Sequence, residues 1–424
     1  MATTLTLTGI FYGWRIVAAA FVLALFGWGL GFYGPPVFLG VVGATRGWPL
    51  PLVSAAVTTQ FLIGAVVGAN LPGNYQRFGV ATVTKAGAVS LAAGVCGWAM
   101  ATAPWQLFVA ALLGGAGWGA MSAVAVNAIV SPWFVRARPA ALAMAYNGGS
   151  IGGVVFSPLW VAAIGALGFP TAAAAIGAVM VLTMWLLADR LFSRTPCQMG
   201  LPPDGDARGA PAISVASPAA KPLPGSLLWR DRKFQTLAIG MALGLFAQIG
   251  LVAHLFSLLT PALGAQRAGL AMGAATALAI AGRALVGWVM PAGADRRLVA
   301  SASYAAQMTG SLVLIAAAGT SVPLLLLGIA LFGIGFGNAT SLPPLIAQVE
   351  FVEDDVSRVV ALIVAIAQGA YAFAPAAFGL IRTLVPQATG AAAGAAPGLF
   401  LAAALVQGLA IVAFLGGRRT IAHC

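Results

Sequence analysis

From near its first residue to near its last, the chain consists of apolar runs of about twenty residues or more, separated by short polar breaks. A run of that length crosses the roughly 30 Å hydrocarbon core of a bilayer at about 1.5 Å rise per residue. The expected crossings are 15–39, 50–71, 82–102, 105–129, 139–163, 168–190, 235–260, 269–290, 298–318, 322–346, 357–382 and 395–416. In lipid every backbone N–H and C=O must find a partner inside the protein, which leaves helices or a closed barrel. The runs are continuous and lack the two-residue alternation of barrel strands. The fold class is therefore an all-α membrane protein with twelve transmembrane helices. A composition of 61% hydrophobic and only 7% charged residues excludes a soluble globular chain.

The first run is too long and too aromatic for a cleaved leader and is expected to remain as the first crossing. Of the 21 Lys and Arg, with the N-terminus placed inside, only Arg46, Arg267 and Arg382 fall outside and Arg283 falls in the membrane; all the others lie on the inner side. That asymmetry is the positive-inside rule, and it places both termini in the cytoplasm of a multi-pass protein of the cytoplasmic (inner) membrane. The net charge of +12 is thus topological, and no nucleic-acid partner is expected. Cys96, Cys197 and Cys424 have neither disulfide-framework nor metal-ligand spacing, so no metal and no cofactor are expected.

A stretch rich in Pro, Gly, Ser and Ala, beginning "SRTPCQMGLPPDGDARGAP", cannot bury enough apolar surface to fold alone. It divides the chain into an N-terminal six-helix bundle, 1–192, a flexible cytoplasmic linker, 193–233, and a C-terminal six-helix bundle, 234–424. The halves repeat: an offset of 219 residues brings Gly68 onto Gly287, Pro72 onto Pro291 and Arg77 onto Arg296. Within one residue of that offset, "GAGWGA" (115–120) meets "GIGFGN" (333–338) and Arg138 meets Arg358. Such parallel repeats are a property of transporters, whose halves are pseudo-symmetric and rock about a site between them. Glycines such as Gly114, Gly115, Gly117 and Gly119 are read first as close helix packing. The pair Pro343 and Pro344, and Pro375, should bend or unwind their helices.

All nine carboxylates fall at helix ends or in inner loops, so a cation cargo has no ligand in the membrane. Arg283, in "AGRALVG" (281–287), is the charge left inside, about 12 Å from the inner end of its helix. An arginine at the centre of a helix costs roughly 2.5–3.5 kcal/mol to insert. Snorkelling to the interface, pairing with backbone carbonyls of a neighbouring helix, or an anion site in a water-filled cavity would each offset that cost. A guanidinium suits a carboxylate because its planar fork makes two parallel charge-assisted bonds and keeps its proton. His254 near the outer end of its run is a candidate for titration, substrate contact or gating, or else a neutral side chain satisfied by another helix. Tyr33, Gln60, Tyr146, Asn147, Asn338, Gln368 and Tyr371 are the polar and aromatic candidates near the midplane. Gln368 and Tyr371, three apart, share a helix face. No Walker sequence and no Ser/His/Asp constellation is present, so the chain is not read as an enzyme.

Twelve runs in two repeated halves around a long middle loop resemble the major facilitator superfamily. "YGWRIV" (12–17), "SPWFVRARPAALAMAYNGGSIGGVVFSPL" (131–159) and "AGRALVGWV" (281–289) are similar to segments of its oxalate:formate antiporter and monocarboxylate transporter branch. The resemblance implies that Arg283 is a ligand of a substrate carboxylate. The superfamily's loop signature, which latches the conformational state, survives in the first half only as Arg77 and Gly79, with Gln76 in place of the acid. Asp295 and Arg296 keep the second copy better, although Leu298 replaces its glycine. Ala279 stands where the monocarboxylate carriers have an acid, so proton coupling of their kind is not implied.

The expected function is secondary active or facilitative transport of a small organic anion by rocker-switch alternating access. Arg283 is the charge-pairing group, with Tyr33, Gln60, Asn147, His254, Asn338, Gln368 and Tyr371 around the cargo and Arg77, Gly79, Asp295 and Arg296 as the loop latch. Anion exchange, facilitated diffusion and proton symport all remain open, so a proton or a counter-anion is the candidate coupling species, and the working unit is expected to be a monomer in the lipid bilayer. The alternative is an exporter of amphiphilic or drug-like compounds, selected by shape against Trp28 and Trp118, with Arg283 structural.

Overall fold

A computed structural model describes residues 11–205, 225–291, 293–385 and 394–418. Cys424 and much of the middle segment lie outside the described residues. Twelve helices among those described are long and apolar enough to cross a membrane. The first six are α1 (Tyr12–Arg46), α2 (Leu50–Phe78), α3 (Val80–Met100), α4 (Pro104–Trp133), α5 (Arg138–Leu167) and α6 (Phe169–Phe192). The second six are α7 (Arg232–Leu263), α8 (Ala265–Val289), α9 (Arg296–Ala316), α10 (Val322–Glu350), α11 (Arg358–Leu384) and α12 (Pro397–Gly416). Odd-numbered helices start at the face that carries the middle segment, called here the linker face, and end at the far face.

Local chemistry sets the helix ends. Proline fills the first turn of α2, α4, α5, α6, α10 and α12, where its missing N–H has no intrahelical use. Asp231 and Asp295 cap α7 and α9, each accepting two backbone N–H groups. Gly79, Gly168 and Gly264 turn the chain between consecutive helices in a single residue at φ of +79°, +77° and +75°, a conformation that costs other residues strain.

Several crossings are broken. α1 is interrupted at Phe32 and Tyr33, α4 at Met121 and Ser122, α10 at Gly337 and α11 at Phe373. Pro375 takes the second position of the last piece of α11, as its fixed φ favours. Pro343 and Pro344 do not mark the break of α10. They sit inside its second piece, and the chain instead parts at Gly337, where helix packing is tightest.

The start of the middle segment is folded onto the first half, which departs from the flexible linker expected from its composition. Asp204 accepts the backbone N–H groups of Val135, Arg136 and Ala137 at 3.1, 2.9 and 3.2 Å, ahead of α5. It does so with φ at +61°, a region aspartate tolerates better than most residues. Burial alone would raise its pKa, but those bonds and the charge of Arg136 outweigh it and hold the carboxyl below its usual range. Residues 206–224 lie outside the described residues.

Candidate functional site

The two halves meet through their far-face portions. On α8, Gly269 packs against Ser157, Pro158 and Val161 of α5, and Gly273 against Val154 and Pro158. Helical spacing continues this α8 stripe through Thr276, Arg283 and Gly287. The matching α5 stripe runs back through Ile151, Asn147 and Met144. Its far-face end is packed, whereas Asn147 and Met144 are exposed, and a side chain at Gly287 would meet open space. Arg283 and Asn147 lie on the linker-face continuations of these two stripes, beyond the packed far-face end.

Arg283 is half-buried there. Its Nε donates to the carbonyl of Gly337 at 3.0 Å, and among the described residues this is its one hydrogen bond to the protein. α10 comes this close because small residues line both helices. A Cβ at Gly333 would stand 2.7 Å from the Ala275 carbonyl, and one at Gly282 or Gly337 would overlap the carbonyls of Ile334 or Ala279. The break in α10 turns the Gly337 carbonyl toward the guanidinium. Tyr33, at the break of α1, reaches the same place, with its hydroxyl beside Thr276 and within electrostatic range of Arg283. It fits because Gly153 lacks a side chain; a Cβ there would sit 2.5 Å from the Tyr33 ring.

Two small hollows flank this point. One is walled by Tyr33, Thr276, Met272, Phe332 and Phe336 on the far-face side of Arg283. The other is walled by Phe61, Trp118, Ser122, Gln368 and Tyr371. Between them runs a chain of aromatic contacts: Tyr33 with Phe32 at 4.9 Å, Phe32 with Trp118 at 6.1 Å, and Trp118 with Trp28 at 5.0 Å between ring centres. Asn338 is buried beside Gly337 and its Oδ1 has no partner.

Two expected ligands stand elsewhere. Gln60 is buried and donates to the Gly31 carbonyl at 2.8 Å while packing on Gly114, so it ties α2 to α1 and α4 instead of facing a hollow. His254 lies at the far-face contact between the halves, fully buried, and lines neither hollow, although Val252 and Leu255 on the same helix line the one beside Tyr33. Tyr146 donates to the Ala123 carbonyl at 3.1 Å and so links α5 to α4. Gln248 of α7 escaped notice in the sequence. Its Nε2 points to the Phe336 carbonyl at 3.5 Å and its Oε1 is buried without a partner, a few atoms from Asn338. A lone amide in an apolar run was the available signal.

The loop residues divide their roles differently from expectation. Asp295 caps α9 and binds Arg418 Nε at 2.6 Å. Burial opposes its ionisation, yet the Arg418 bond and the backbone N–H groups of Leu298 and Arg297 keep its pKa low. Arg296 donates to the Leu345 carbonyl at 2.5 Å. The residue that ties the linker face of the second half is the next one, Arg297, buried in an ion pair with Glu350. In the first half Arg77 covers the Phe78 ring, and Gly79 has open space around it.

The sequence pattern of the Major Facilitator Superfamily matches residues 16–375. The chain belongs to that superfamily. It is accordingly a multi-pass membrane transporter of small molecules and not an enzyme. Its fold is similar to that of the nucleoside transporter NupG, with a TM-score of 0.71 at 13% identity over 96% of this chain and 99% of that one. It is similar also to a bacterial homolog of the human lysosomal transporter Spinster in an inward-facing, unoccupied conformation, with a TM-score of 0.69 at 15% identity over 97% and 99%. A D-xylose–proton symporter aligns with a TM-score of 0.70 at 13% identity over 95% and 96%. No curated protein matches the chain by sequence.

Proposed function

We propose that the chain carries a small organic anion, a carboxylate, by alternating access, and that Arg283 pairs with its charge. One observation carries this reading: Arg283 uses Nε to fix itself on Gly337, makes no other hydrogen bond to the protein among the described residues, and stands within electrostatic range of Tyr33. Of the structural alternatives, the backbone-carbonyl contact is present, but a single neutral acceptor does not offset a guanidinium held in the membrane. A carboxylate on the two terminal nitrogens completes the set. Asn147, Asn338, Gln368 and Tyr371 line or border the path and supply hydrogen bonds. We read the linker face as cytoplasmic from the positive-inside pattern, and the packed far face as the closed, outer side. Transporters of this fold named for nucleosides and D-xylose show that the fold does not choose the cargo. The anion assignment, and the kinship to the oxalate:formate and monocarboxylate branch that accompanies it, rest on Arg283 and the residues around it.

The test is ligand-induced stabilisation of the purified protein by formate, oxalate, succinate and benzoate, followed by counterflow in proteoliposomes with any acid that stabilises it. Arg283→Ala should lose the thermal shift and the counterflow, and Arg283→Lys should keep part of both, since a point charge replaces the fork. Counterflow retained in Arg283→Ala would sink the anion reading and move the aromatic wall of Trp28, Trp118 and Phe61 to the centre, as the surface of an exporter of amphiphilic compounds.

A further inference from the structure

At the far face the halves close on one another around Gly379 of α11. A Cβ there would lie 2.6 Å from Ser54 Oγ of α2, in the first half, and 3.5 Å from His254 Cε1 of α7, in the second. One turn away the Ala376 N–H donates to Thr58 Oγ1 at 3.1 Å, so this is where backbone and side chain join the two bundles. His254 is 0% exposed. Its Nε2 is 3.0 Å from the Pro375 carbonyl, and a carbonyl only accepts, so Nε2 carries the hydrogen and Nδ1 keeps its lone pair. Both Nδ1 and Ser54 Oγ are buried without a partner.

We propose that this imidazole is a proton-binding site that controls the far-face seal: the seal closes over neutral His254 and not over its protonated form. A proton on Nδ1 would add a donor with no acceptor and a charge with no counter-ion. Among the described residues, the charged side chains at this face are all cations. Arg382 of α11 donates to Ser257 Oγ at 2.7 Å, and Ser257 in turn donates to the His254 carbonyl at 2.8 Å. Arg46 ends α1 and Arg267 begins α8 at the same face, and no carboxylate among the described residues lies there. A buried unpaired charge is among the costliest things a packed interface can hold. When the halves part at this face, His254 meets water, and a solvated imidazole takes up its proton between about pH 5 and 8. The proton comes from far-side water to Nδ1 and must return there before closure, so acid on that side holds the transporter open to it. This site is separate from Arg283 and stands whether or not the cargo is an anion.

The experiment is double electron–electron resonance in nanodiscs, with spin labels at Ala44→Cys and Gln266→Cys across the far mouth and the native cysteines replaced. Between about pH 8 and pH 5 the ratio of long to short distances should rise in the wild type, by at most about tenfold per pH unit, the limit for one linked proton. In His254→Gln, whose amide still donates to Pro375, the ratio should not respond to pH. Ser54→Asp places an acid opposite the ring, so it should reverse the response by giving the imidazolium a partner in the closed seal. A pH-independent wild type, an acid response retained in His254→Gln, or an unreversed response in Ser54→Asp would each overturn the proposal. If His254→Gln does not fold, the wild-type titration and Ser54→Asp decide it.

Discussion

Arg297 lets the energetics of the second bundle be worked out from its contacts. The residue is 2% exposed and uses its whole fork: Nε and Nη2 bind the two Glu350 oxygens at 2.6 and 2.8 Å, Nη2 also binds the Lys233 carbonyl at 2.9 Å, and Nη1 binds Thr236 Oγ1 at 3.0 Å and the Phe414 carbonyl at 3.3 Å. Four helices, α7, α9, α10 and α12, are thereby held by one side chain. Removing one partner of a buried pair costs about 3–5 kcal/mol, because the other charge is left uncompensated. Glu350 is 19% exposed, so some water reaches it and the lower end, about 3 kcal/mol, is the appropriate figure. The neighbouring pair of Arg418 and Asp295 is 39% and 37% exposed and should contribute no more than about 1 kcal/mol. A double-mutant cycle of Arg297→Met and Glu350→Met, read by unfolding in mixed micelles with rising detergent denaturant, measures the coupling. Each single change should cost about 3 kcal/mol, a factor of roughly 100–200 in the unfolding constant, and the double variant should recover most of the loss. Single costs below about 1 kcal/mol, or costs that simply add, would refute the argument that burial makes this pair different from its exposed neighbour.

Four further expectations rest on contacts at other positions. Gly337→Ala sets a methyl group against the Ala279 carbonyl, which no rotamer change relieves; it should cost about 1–3 kcal/mol in thermal unfolding and weaken anion binding by moving the carbonyl from Arg283. Gly287→Ala, in open space on the same α8 stripe, should stay within about 0.5 kcal/mol of wild type in the same assay. Tyr33→Phe keeps the ring and removes the hydroxyl beside Arg283 and Thr276, so a titration should show anion affinity down by about 2- to 15-fold. Asp204 has a lowered pKa when docked, so its contribution is fully present above the free-carboxyl value of about 4 and is lost as pH falls through the lower docked value. Asp204→Asn should therefore speed proteolysis within residues 195–205 at neutral pH, and the wild type should acquire that sensitivity only in acid.

The twelve crossings could be read from the sequence because hydrocarbon thickness dictates the length of an apolar run. Their ends could not, because a helix does not stop where lipid does: the run read as 15–39 continues as helix to Arg46, and α2 runs on to Phe78. Arg283 was legible for a related reason, since a charge inside such a run is costly and therefore stands out. Its neighbours were not. Tyr33 and Gly337 lie hundreds of residues apart along the chain, and they meet Arg283 only because Gly153, Gly282 and Gly333 let four helices approach. Helix phase was the harder loss. In water an apolar stripe shows which side of a helix faces in, but lipid is as apolar as the core, and that contrast disappears. Gln60 and Gln368 therefore looked alike in sequence, although one ties helices together and the other lines a hollow. Arg296 and Arg297 differ by about 100° around one helix, and that angle alone decides which reaches Glu350. Small residues supply the phase that hydropathy cannot: Gly269, Gly273 and the step to Arg283 mark one face of α8, as Gly333 and Gly337 mark α10. A polar residue that falls on such a stripe faces another helix or the space between helices. In this chain that rule selects Arg283 over equally polar residues elsewhere in the membrane.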